Sequence, residues 1–203
     1  MAPSRPELRQ ATLDSHFRQS TNRISKKPRP PQAESEKSRS VARPAANAKR
    51  LGGDRVLTDV LLAIKPVHLA NIASQQKNHE YRKYRLHDGV TRLWFYETGD
   101  EGGRSAITHI AVIPSSVRRT PGTVPTEPFG IGNDDFNAGR KESKYGYPIL
   151  ELYELTKPVG LAEMKSRWGF GAPMGWRYVG ADLWEDRWGD DGDNRDAKVR
   201  KVF

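Results

Sequence analysis

Apolar and polar positions divide the chain into three parts. From Met1 to Arg55 almost the only apolar side chains of any size are Leu8, Leu13, Phe17 and Ile24, set among Pro, Ser, Arg, Lys and Ala. Such a stretch buries too little surface to offset the entropy of ordering it, so residues 1–55 are predicted to be a disordered arm. From Val56 the pattern changes. "VLTDVLLAIK" predicts a buried strand, Pro66 suits the first position of a helix, and "VHLANIASQQ" predicts a short helix offering Val67, Ala70, Ile72 and Ala73 to a core. "EYRKYRL", an Asp88-Gly89 turn signal and "VTRLWFYET" together predict a β-hairpin.

After the Gly-rich turn "GDEGG", "SAITHIAVIP" predicts another strand, and Ser115 to Pro128 a loop rich in Pro, Thr and Arg. "NDDFNAGRK" predicts a helix capped by Asn133 or Asp134. "YPILELYEL" predicts a strand, "KPVGLAEMKSRWGF" a short helix ended by Gly169, and "GWRYVG" a closing strand. Short strands interrupted by helices imply an α+β domain over residues 56–180, built on a small barrel or curled, mostly antiparallel sheet. Residues 181–203 read as a polar extension, with Leu183, Trp184 and Trp188 as the side chains able to pin it.

Charge sharpens this division. Residues 1–55 carry 13 Lys and Arg against 5 Asp and Glu, and the remaining 148 residues carry 21 against 20. The basic character therefore belongs to the arm, which suits nucleic acid or an acidic partner. "SKKPRPP", Ser25 to Pro31, is a cluster of the nuclear-import kind, and equally fits a solvated basic linker. The expected location is the nucleus or cytoplasm. With no cysteine there is no disulfide, thiolate or Cys-based zinc chemistry, and no apolar run reaches a membrane span. The five histidines, His16, His68, His79, His87 and His109, lack ligand spacing, so neither metal nor cofactor is expected.

Charge also crowds one junction, "QQKNHEYRKY", where the first helix hands over to the next strand. Alternation puts Glu80, Arg82, Tyr84 and Leu86 on one face and His79, Tyr81, Lys83 and Arg85 on the other. An exposed edge strand with solvated charges is one reading. The other follows from a small barrel, in which one face points inward, so that either Glu80 and Arg82 or Lys83 and Arg85 lie near the interior; an inward Glu80 and Arg82 must pair with each other, with Lys77 or with a ligand.

The stretch "LLAIKPVHLANIASQQKNHEYRKYRL" resembles the signature of ASCH domains of the PUA-like superfamily: strand, Lys-Pro, short helix, then G-x-K-x-x-E-x-R. Lys77, Glu80 and Arg82 occupy the three charged positions, and Gln75 stands where the family usually has Gly. Weaker similarity continues in order to "APMGWRYV". The resemblance implies a PUA-like β-barrel whose cleft, lined by Lys77, Glu80 and Arg82, takes RNA, DNA or a modified nucleobase. Glu80 suits hydrogen bonds from a base amine, Lys77 and Arg82 suit a phosphate, and Tyr84, Trp168, Phe170 and Trp176 suit base stacking. One branch of the superfamily hydrolyses acylated nucleosides with a Thr nucleophile at the position of Glu80, which leaves Lys77 and Glu80 as an acid/base pair if this chain is an enzyme.

Within the arm, "QATLDSHF" resembles a PIP box, the peptide that binds the sliding clamp PCNA. Gln10, Leu13 and Phe17 match its pattern, and His16 replaces the first aromatic. One helical turn brings Leu13, His16 and Phe17 to one side as an apolar plug. Three functions are therefore expected as alternatives: a nucleic-acid binder recruited to PCNA, a hydrolase on a modified nucleoside or RNA, and a protein-interaction adaptor.

Overall fold

The structure, a computed structural model, describes residues 55–189 and 192–203. The arm up to Asp54, with its PIP-box-like motif and basic cluster, lies outside the described residues. The elements in chain order are β1 (Arg55–Ile64), α1 (Pro66–Ala73), β2 (His79–Arg82), β3 (Arg92–Glu97), β4 (Ala106–Val112), α2 (Asn133–Asn137), β5 (Tyr145–Pro148), β6 (Glu151–Gly160), α3 (Leu161–Trp168), β7 (Trp176–Gly180), α4 (Ala181–Arg187), α5 (Gly192–Lys198) and β8 (Val199–Lys201). The fold is α+β. One six-stranded sheet runs β7-β1-β3-β4-β6-β8, and β2 and β5 form a separate two-stranded ribbon. Among the described residues only β1 and β3 pair in parallel; the other strand pairings are antiparallel.

The centre of the large sheet is apolar on both faces, which explains the unbroken apolar runs of β1 and β3. Val60, Leu62, Ile64, Leu93 and Phe95 pack on one side with Leu69 and Ile72 of α1 and with Tyr147 of β5. Leu61, Trp94 and Tyr96 pack on the other with Met164 of α3, Leu183 of α4 and Trp188. On that second side Asp59 is fully buried, and its carboxylate accepts from the Arg92 guanidinium at 2.6 and 2.7 Å and from the Trp94 indole at 2.8 Å.

The expected hairpin does not form. β3 pairs with β1 and β4, whereas β2 pairs with β5, Glu80 opposite Tyr147 and Arg82 opposite Tyr145. The reason is polarity: a strand as charged as "HEYR" cannot lie in a sheet covered on both faces, so it joins the half-buried "YGYP" instead. The face of α1 also differs from expectation. Leu69 and Ile72 are buried, Ala73 packs partly, and Val67 and Ala70 are exposed. α2 is capped by Gly132 in the left-handed region, φ 86°, not by Asn133 or Asp134; the Asn133 side chain is buried and accepts from the Tyr81 hydroxyl at 2.7 Å.

Residues 181–203, read above as a polar extension, add α4, α5 and β8 to the same architecture. Leu183, Trp188 and Val199 supply the apolar contacts, and β8 pairs with β6. No described helix is long and apolar enough to cross a membrane.

Candidate functional site

The charged junction is built by the end of α1. After Ser74 the chain turns at Gln75, whose φ of 60° is left-handed, and the Lys77 N–H returns to the Asn71 carbonyl at 2.9 Å. That turn aims the Lys77 side chain at β2. Glu80, only 4 % exposed, is bracketed by two cations: the Lys77 ammonium donates to Oε2, and the Arg82 guanidinium lies 2.9 Å from Oε1. The same guanidinium donates to the Ala63 carbonyl at 2.6 Å, one residue past the last β1–β7 pair, Leu62 with Trp176. Burial pushes the Glu80 carboxyl upward, and the Lys77 and Arg82 charges more than reverse it, so Glu80 ionises below the usual carboxylate range.

The five residues expected to bind nucleic acid form one string. Beyond Arg82, the Tyr84 hydroxyl donates to the Gly175 carbonyl at 3.3 Å, and the Tyr84 and Trp176 rings lie 6.4 Å apart. Trp176 also packs edge-on against Tyr178 at 5.2 Å and borders a shallow bowl lined by residues 171–177. Both rings are partly buried against the core. Trp168 and Phe170 are elsewhere: they pack with the opposite side of the sheet, against Arg167 at 4.3 Å and Arg177 at 4.2 Å respectively.

Sequence reading missed three residues here. The Lys141 ammonium and the Lys77 ammonium each lie 5.7 Å from the centre of the Tyr81 ring, and among the described residues Lys141 has no ion-pair partner. His68 of α1 shares their field: burial first, then the Lys77 charge, lowers its pKa. Lys141 is 64 positions from Lys77 along the chain, and nothing local marks it as a neighbour. Tyr81 was placed on the opposite face from Glu80, as the strand requires, but Lys77 precedes the strand and reaches both faces.

The arrangement favours anions. Lys77 and Arg82 share the single carboxylate of Glu80 and Lys141 lies at the Tyr81 ring beyond them, so three cations face one anion. As a proton-transfer group Glu80 is poorly placed, since both of its oxygens are engaged by cations that hold it ionised.

No family model and no curated protein matches the chain. Among solved structures, neighbours are ASCH proteins of Zymomonas mobilis. One single-residue variant aligns with a TM-score of 0.47 and 16% identity over 66% of this chain and 95% of that chain. A second variant gives 0.48 and 15% over 64% and 95%, and the unsubstituted protein 0.44 and 15% over 63% and 91%.

Proposed function

We propose that this chain is an ASCH/PUA-like protein that binds nucleic acid or a modified nucleoside in the cleft of Lys77, Glu80 and Arg82. The observation that carries the reading is the buried Glu80 carboxylate held between Lys77 and Arg82, with Lys141 unpaired beside them. In this reading a phosphate is attracted by the surplus cations, and Tyr84 and Trp176 give a base an aromatic wall. The arm recruits the protein to PCNA through Gln10, Leu13, His16 and Phe17, and the site of action is the nucleus.

The test is fluorescence anisotropy of labelled single-stranded RNA and DNA with the full chain across a salt series. Replacing Lys141 by Ala should weaken binding and flatten the salt dependence by about 0.7 in log–log slope, the value for one lost phosphate contact on a single strand. Arg82→Ala should weaken binding further, with circular dichroism confirming the fold. Unchanged affinity in both folded variants would remove the cleft from the binding function. Turnover of RNA or of an acylated nucleoside that Glu80→Gln abolishes would replace binding by catalysis. For the arm, a Leu13→Ala, Phe17→Ala chain should lose PCNA in a pull-down, and retention at the wild-type level overturns that part.

A further inference from the structure

The loop from Pro128 to Gly132 wraps the immediate surroundings of Lys77. The Asn78 side-chain amide donates to the Pro128 carbonyl at 2.9 Å, and the Ile131 N–H donates to the Gln76 carbonyl at 2.8 Å. Both sequence neighbours of Lys77 are thus tied to this loop. Gly130 sits so close to Asn78 that a Cβ there would lie 2.1 Å from its side-chain oxygen. A Cβ on Gly132 would lie 2.9 Å from the Lys141 side chain and 3.8 Å from the Tyr81 ring. Two hydrogen bonds hold the backbone, and two glycines let it pass close to Asn78 and Lys141.

What this fixed loop presents is apolar. Phe129 is 64 % exposed and Ile131 42 %, and neither belongs to the packed clusters on the two sides of the sheet. An exposed Phe on a mobile loop needs no explanation, but one held on a loop tied to both flanks of a cationic site has a preset position. Charge selects what fits it. The Lys141 ammonium lies against the Gly132 end of the loop, and the Glu127 carboxylate accepts from the Phe129 N–H at 3.3 Å. That carboxylate repels a phosphate at Phe129 itself, so the group matched to the ring is a flat neutral one whose attached phosphate falls to Lys141.

We propose that Phe129 is a stacking platform for an unpaired base of the ligand whose backbone Lys141 holds. The inference rests on the nucleic-acid reading above and narrows it to single-stranded or locally opened strands, because a paired base offers no free face to a single ring. Ile131 flanks the platform and shields one edge of the stacked base.

The experiment uses short oligonucleotides carrying 2-aminopurine, whose emission falls on stacking, with the full chain. Wild type should quench the probe. Phe129→Ala should restore emission and weaken binding on the order of tenfold, within the range for loss of one base–aromatic stack. Phe129→Tyr should behave as wild type, and Phe129→Leu, which keeps apolar area without a π face, should resemble the alanine variant. Because the side chain is exposed, none of these changes touches the core. If wild type and Lys141→Ala differ in affinity while Phe129→Ala binds and quenches as wild type, the platform is refuted and the nucleic-acid reading stands. If Phe129→Leu retains both quenching and affinity, the residue is an apolar contact and the stacking assignment fails. If wild type binds no oligonucleotide, both fall together.

Discussion

Replacing Glu80 by Gln tests whether the charged junction is held by its own electrostatics. Glu80 is 4 % exposed and Lys77 7 %, and the Arg82 side chain is 18 % exposed, so the three charges are largely withdrawn from water. Gln keeps the shape and one carbonyl acceptor but removes the negative charge, leaving two buried cations facing each other. Breaking a buried ion pair by neutralising one partner costs about 3–5 kcal/mol. For a domain of this size each kcal/mol lowers Tm by about 2–4 °C, so the variant should melt roughly 6–20 °C below wild type. Thermal unfolding followed by circular dichroism measures this directly. Repeating the scan at about 0.5 M salt discriminates further, because a buried cluster is screened far less than a surface pair and the gap should persist. A variant within about 2 °C of wild type, or a gap that closes with salt, would show that Glu80 is not clamped between Lys77 and Arg82.

Acid should weaken the fold well before Glu80 protonates. Burial, joined by the Arg119 and Lys77 charges, lowers His79 from 6.5 to about 4, and burial likewise lowers His109 to about 4. Both folded-state values are depressed, so their stabilising contribution is complete above pH 6.5 and is lost as pH falls, when the unfolded chain takes up protons that the folded state refuses. At about pH 5 each imidazole costs the fold about 2 kcal/mol, and a urea midpoint unchanged between pH 7 and pH 5 would refute this. Glu80, lowered likewise, adds its loss only below the ordinary carboxylate range. Gln75→Gly should raise stability by about 1 kcal/mol, because a non-glycine residue at φ 60° is strained, and urea unfolding reads the gain. A glycine variant less stable than wild type would mean that the Gln75 side chain contributes more than the turn costs.

The Gln75 turn shows how far the sequence could be read. The local pattern, strand, Lys-Pro, helix and three spaced charges, was legible because each link depends on residues within a few positions. The alternation expected over residues 79–86 extends past the strand, which ends at Arg82, and within it His79 and Glu80 are both buried, so the two faces are not separated by burial. Pairing was not legible in the same way. A turn signal at Asp88-Gly89 favours a hairpin locally, but β1 and β3 are apolar on both faces and bury most when adjacent, which sends the charged β2 to β5, more than 60 residues on. Lys141 and the Phe129 loop reach Lys77 only through that long-range pairing, so no window of sequence contains them together.

That same pairing bears on binding against catalysis. A general base needs a pKa matched to the proton it takes, whereas the Lys77 and Arg82 charges, one against each oxygen, hold the Glu80 pKa below the usual carboxylate range and so weaken it as a base. Arg82 in turn spends one arm on the Ala63 carbonyl, so it is positioned by the sheet and not by a substrate. Lys141 is the cation left over, outside the clamp and beside the tethered loop. In the proposed reading the buried triad supplies fixed charge and shape to the site, and Lys141 and the Phe129 loop meet the ligand at its rim. In the proposed reading a ligand docked there gains a phosphate contact and a stacked base without disturbing the clamp, whereas a proton delivered to Glu80 would remove the charge that holds it together.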